Sequence, residues 1–145
     1  MTPFAPLVID REYPVPIERV FRAWSDPVQL QQWFRGSSEA VVESAEVDLR
    51  VGGGYRIVIR IEDDEFVVFG HYSAVETPTL LEFTWKWEVS SLEPGETLVR
   101  VELTPLDGGT RLRLTHSNFS TERSSQTHDA GWIRVLATLD SYLQG

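Results

Sequence analysis

The chain has 145 residues, of which 41% are hydrophobic and 24% charged, with a formal net charge of −9. That composition excludes a disordered chain and predicts a single domain over residues 1–145 with enough side chains for a core. The lack of cysteine excludes disulfides, thiol catalysis and zinc–thiolate sites, and the acidic balance with scattered arginines excludes a nucleic-acid surface. No apolar run approaches the ~20 residues of a membrane span. The N-terminus, MTPFAPLVIDREY, lacks a basic n-region and is not expected to be a signal peptide. The expected compartment is the cytoplasm, with no membrane partner.

Leu7 to Tyr13 alternates apolar and polar side chains and predicts a strand, which Pro14 and Pro16 end. Pro16 suits the first position of a helix whose apolar face is Ile17, Val20, Phe21 and Trp24, at the i, i+3, i+4, i+7 spacing. Asp26-Pro27 starts a second helix, with Asp26 as N-cap and Leu30, Trp33 and Phe34 as its apolar side, and Gly36 stops it. A strand follows around Val41 to Leu49. Gly52-Gly53-Gly54 then marks a turn or bulge, with Asp48 and Arg50 bracing it. A phosphate loop would need a following Lys-Ser/Thr and a helix, and the chain has neither there.

Tyr55, Ile57, Ile59 and Ile61 alternate with Arg56, Val58, Arg60 and Glu62. A two-residue turn at Asp63-Asp64 would place Ile61 opposite Phe66, Ile59 opposite Val68, Ile57 opposite Gly70 and Tyr55 opposite Tyr72. A second turn at Thr77-Pro78 would pair Tyr72 with Phe83, Gly70 with Trp85 and Val68 with Trp87. An odd-length loop would flip the faces. The other face, with Arg56, Arg60, Glu82, Thr84 and Lys86, is expected to be solvated. Glu96 to Leu106 and Leu112 to His116 alternate again around a turn at Asp107-Gly108-Gly109. From about Ser125 the period turns helical, with Trp132, Val135, Leu136, Leu139, Tyr142 and Leu143 on one stripe and His128 a turn earlier. Strand, two short helices, about six strands in meander and one long helix is an α+β arrangement.

This order, with these residues, resembles the START/Bet v-like (SRPBCC) superfamily, in the branch similar to the activator of heat shock protein 90 ATPase. The resemblance is carried by PVPIERVFRAWSDPVQLQQWF at Pro14–Phe34, DLRVGGGYRI at Asp48–Ile57, FGHYSAVETPTLLEFTW at Phe69–Trp85, GTRLRLTH, and the AGW of Ala130–Trp132. It implies a helix-grip fold, a curved antiparallel sheet wrapped around a long C-terminal helix with a hydrophobic cavity between them. The eukaryotic chaperone activators of that branch carry an additional N-terminal domain that these residues do not include. A chaperone partner therefore ranks below a small-molecule ligand.

The inward aromatic set has two readings. It fills a small core, or it walls a pocket with a few polar points. The cavity candidates are Trp33, Tyr55, Tyr72, Phe83, Trp85, Trp87, His116, His128 and Trp132. Gly70 opposite Trp85, and Gly131 inside the last helix, favour empty space, although both also fit close packing of helix on sheet. His116 is more often a core histidine satisfied by hydrogen bonds, and an acid–base role needs a perturbed ring facing a cleft. No catalytic set, metal site or cofactor is expected. His71 falls on the opposite face, and the acidic run Glu62 to Glu65 lacks the pattern of a calcium loop. The expected function is binding of a hydrophobic or aromatic small molecule. The alternatives are a cyclase, hydratase or lyase using His116 and Tyr72, and a protein-interaction module similar to the chaperone activators.

Overall fold

The computed structural model describes residues 5–89, 93 and 95–145. Strand β1 (Leu7–Tyr13) leads into helices α1 (Ile17–Ser25) and α2 (Pro27–Trp33). Six strands follow: β2 (Ala40–Val47), β3 (Gly54–Ile61), β4 (Asp64–Glu76), β5 (Leu80–Trp87), β6 (Thr97–Leu106) and β7 (Gly109–Ser117). Helix α3 (Glu122–Gln144) ends the chain. All strands join one antiparallel sheet in the order β1-β7-β6-β5-β4-β3-β2. The sheet curls into a half-barrel, and α3 lies against it. Among the described residues no helix is long and apolar enough to cross a membrane.

β1 and β2 are the two edges of the sheet, so α1 and α2 carry the chain from one edge to the other. Pro16 is the N-cap of α1, one position before its expected place. The Asp26 side chain caps α2 by accepting from the Val28 amide at 3.0 Å. Trp33 is fully buried. Its indole N–H donates to the Ala23 carbonyl at 2.8 Å, and its ring meets Trp24 edge-on at 4.8 Å. Those two contacts lock α2 against α1.

The hairpins differ from expectation in an instructive way. The first turn is at Glu62-Asp63, with Ile61 opposite Asp64, so every β3–β4 pair is slipped by two residues from the expected register. A two-residue slip preserves the faces. Glu62 takes the left-handed backbone (φ 57°) that a tight two-residue turn requires. Tyr55 consequently faces Gly70, not Tyr72. The second loop is odd: Glu76 pairs with Leu80 across Thr77, Pro78 and Thr79. A bulge between Tyr72 and Ala74 restores the parity, so Tyr72 still pairs with Phe83 and Val68 with Trp87.

Gly70 is explained by close approach, not by a void. A Cβ there would lie 2.1 Å from the Thr84 carbonyl oxygen. With no side chain in the way, the Tyr55 hydroxyl reaches from β3 past β4 to donate to that carbonyl at 2.6 Å. Thr84, expected among the solvated residues, is buried on that outer face, its hydroxyl accepting from the His71 amide at 3.0 Å.

Helix α3 begins at Glu122, earlier than its apolar period shows, because Thr121 caps it by accepting from the Ser124 amide at 3.0 Å. Its buried stripe, Trp132, Leu136, Leu139 and Leu143, packs on the sheet. Glu93 pins the segment before β6 to the entry of this helix. Its carboxylate accepts from the Ser120 amide at 3.0 Å and the Gly95 amide at 2.7 Å.

Candidate functional site: an apolar cavity under the long helix

Between the middle of α3, the strands β3–β5 and the end of α2 lies a cavity of about 260 Å³. The sheet contributes Ile59, Ile61, Phe66, Trp85 and Trp87. The connection after α2 and the start of β2 contribute Phe34, Arg35, Gly36 and Ala40. Helix α3 contributes Thr127, His128, Gly131, Trp132, Arg134 and Val135. Exposed Ile61, Thr127 and Arg134, with half-buried Arg35, mark the open side. Gly131 faces this space, and a Cβ there would meet nothing within 4 Å. One of the two glycines read as signs of empty space therefore borders a cavity, and the other does not.

A second void of about 20 Å³ lies deeper, among Trp24, Leu30, Tyr55, Ile57, Tyr72 and Phe83. Phe34 and Trp85, with ring centroids 6.1 Å apart, line both spaces. The indole N–H groups of Trp24 and Trp85 are buried and have no acceptor among the described residues.

The structure thus divides the expected residues. Trp85, Trp87, His128 and Trp132 line the open cavity. Tyr55, Tyr72 and Phe83 border only the small void. Trp33 lines neither, being sealed between α1 and α2. His116 also lines neither, and instead supports Trp132 from behind. Phe34, on the apolar side expected for the second helix, also lines the open cavity, and Arg35, Ile59, Ile61, Phe66, Arg134 and Val135 lie outside the expected cavity set. The alternation of β3 already faced Ile59 and Ile61 inward, but nothing local marks which end of a strand meets the cavity.

Both inward histidines are fully engaged. Trp132 Nε1–H donates to His116 Nδ1 at 3.0 Å. The Thr97 hydroxyl donates to the Trp85 carbonyl at 3.1 Å, so at 2.7 Å from His116 Nε2 it acts as acceptor. His116 is therefore neutral with its proton on Nε2. His128 has the opposite tautomer: Nδ1–H donates to the Ser124 carbonyl at 2.8 Å, and Nε2 accepts from Trp87 Nε1–H at 3.1 Å. Burial lowers His116 well below its ordinary value of 6.5, and neighbouring His128 lowers it further. Burial also lowers His128, partly opposed by its bond to Ser124 and by the charge of Glu93. Neither ring offers a free nitrogen to the cavity. Burial raises the Tyr72 phenol as well, so it stays protonated. His71 is exposed on the outer face, and among the described residues no group of acids and histidines gathers as a metal site would need.

A curled antiparallel sheet gripping a long C-terminal helix, with an apolar cavity at the grip, defines a helix-grip protein. The chain belongs to the family of Activator of Hsp90 ATPase homolog 1-like proteins, whose model matches residues 14–144. A Chromobacterium violaceum protein superposes with a TM-score of 0.87 at 23% identity, covering 97% of each chain. The AHSA1 protein of Silicibacter pomeroyi superposes at 0.83 with 26% identity, covering 97% of this chain and 98% of its own. An AHSA1-like protein of Aeromonas hydrophila superposes at 0.79 with 27% identity, covering 95% and 92%. No curated protein matches the chain.

Proposed function

We propose that this protein binds a small hydrophobic or aromatic molecule in the cavity between α3 and the sheet. The observation that carries the reading is the cavity itself, about 260 Å³ and walled by Phe34, Trp85, Trp87, Trp132 and Val135. Binding pockets are commonly apolar concavities with few polar groups, and a cavity of about 150 Å³ is already enough for benzene. This space therefore suits a ligand of about two fused rings. The engaged histidines favour binding over acid–base turnover, since a general acid or base must reach a ligand proton.

Gly131→Leu tests this directly. The new side chain projects into open space and fills the cavity. Replacing a helix-interior glycine also raises helix propensity by up to ~1 kcal/mol. The expected outcome is a fold at least as stable as the parent by thermal melting, with calorimetric binding of neutral 2-naphthamide abolished. Undiminished binding by the folded variant would exclude this cavity as the site.

Chaperone contact is the second reading, supported by the family to which the chain belongs. Its exposed apolar residues include Val8 and Val41, on strands at opposite edges of the sheet, and Ile133 on α3. That spread supports a single docking patch less well than the cavity supports a ligand.

A further inference from the structure

The rim of the cavity is basic in an acidic protein. The chain carries 22 Asp and Glu against 13 Lys and Arg. Among the described residues no carboxylate lines the cavity, whereas Arg35 and Arg134 do. On the sheet, Arg60, Arg100, Arg111 and Arg113 pair with acids across neighbouring strands. Arg35 and Arg134 form no ion pair among the described residues.

The local sequence explains why. The positions three and four residues from Arg134 on the helix are Ala130, Gly131, Ala137 and Thr138, so no acid is placed to pair with it. Arg35 donates one Nη1 bond to the Ala40 carbonyl at 3.1 Å, and its other donors meet no acceptor among the described residues. The two cations share one rim: a side chain beginning at Gly36 would start 3.7 Å from Arg134 Nε. Two uncompensated like charges beside an apolar wall favour an anion between them. The planar fork of each guanidinium matches a carboxylate.

We infer that the ligand is an amphipathic organic anion, with an apolar body of one or two rings against Trp85, Trp87 and Trp132 and a carboxylate held at the rim by Arg35 and Arg134. This inference rests on the ligand-binding reading above, and the test separates the two. Isothermal titration at low salt compares 2-naphthoate with its neutral isostere 2-naphthamide. The parent protein should bind the naphthoate about tenfold more tightly, a gap typical of one charge-assisted contact. The gap should narrow at high salt and close in the Arg35→Gln/Arg134→Gln variant, which retains amide binding. Should that variant fail to fold, Arg134→Gln alone, at an exposed position, should still narrow the gap. Equal affinity of the parent for both compounds would overturn the anion inference and leave the cavity reading standing. A gap that persists in the folded double variant would overturn the role of these arginines. Binding of neither compound would overturn both readings.

Discussion

Tyr55, Gly70 and Thr84 form a unit whose parts are justified only by one another. The Tyr55 hydroxyl satisfies a buried carbonyl two strands away, and the missing side chain at position 70 leaves the route open. Gly70→Ala would drive a methyl into the Thr84 backbone, and overpacking of this kind costs about 1–3 kcal/mol. Tyr55→Phe removes one buried hydrogen bond at about 1 kcal/mol or somewhat more. Because the residues share one contact, the double variant should be less destabilised than the sum of the two in urea unfolding. Strict additivity would contradict the unit. Gly70 was visible in the sequence as a break in an alternating strand. Its cause was not, because the partner lies on the next strand at a register that local pattern does not specify. Thr84 lies on the expected outer face, but its burial there, with its hydroxyl accepting from the His71 amide, was not visible for the same reason.

At the scale of elements, α3 is tied to the sheet by two indole–imidazole bonds, Trp87 to His128 and Trp132 to His116. Both bonds require neutral rings, and both rings have values lowered in the folded protein. Unfolding frees each ring to take up a proton near its ordinary value of 6.5. The unfolded chain therefore binds more protons below that pH. The stability from the neutral histidines is fully present above it and is lost as pH falls toward the folded values. The expected slope is up to about 1.4 kcal/mol per pH unit for each histidine. Glu93 adds a loss at lower pH. Burial pushes its carboxyl up, but hydrogen bonds from Ser120 and Gly95 more than offset this and hold it below its ordinary 4.5. Urea unfolding between pH 7.5 and 5.5 should show stability falling with pH, and less steeply in His128→Gln. A flat profile would contradict the neutral assignment. Amphipathic periods located α1, α2 and α3 well, and alternation located the strands. The pairing between strands was less legible. Register is set by the backbone conformation of the turn at Glu62 and by a bulge after Tyr72, and neither leaves a period in the sequence.

At the scale of the whole molecule, the architecture follows from one routing decision. Because β1 joins β7 at one edge and β2 forms the other, the helical pair must carry the chain from one edge of the curled sheet to the other. The residues just after it, Phe34 to Gly36, then meet α3 and complete the cavity. The grip itself was legible from element order and the family resemblance. The split into an open cavity and a small inner void was not, since it depends on the rings of Phe34 and Trp85 standing between them. The five tryptophans make the central claim measurable without any variant. In a ¹⁵N–¹H correlation spectrum of the protein titrated with 2-naphthamide, the indole signals of Trp85, Trp87 and Trp132 should move together and saturate. The signal of Trp33, sealed between α1 and α2, should stay in place. Saturating shifts that leave those three unmoved, or no saturable shift at all, would contradict a ligand site under the long helix.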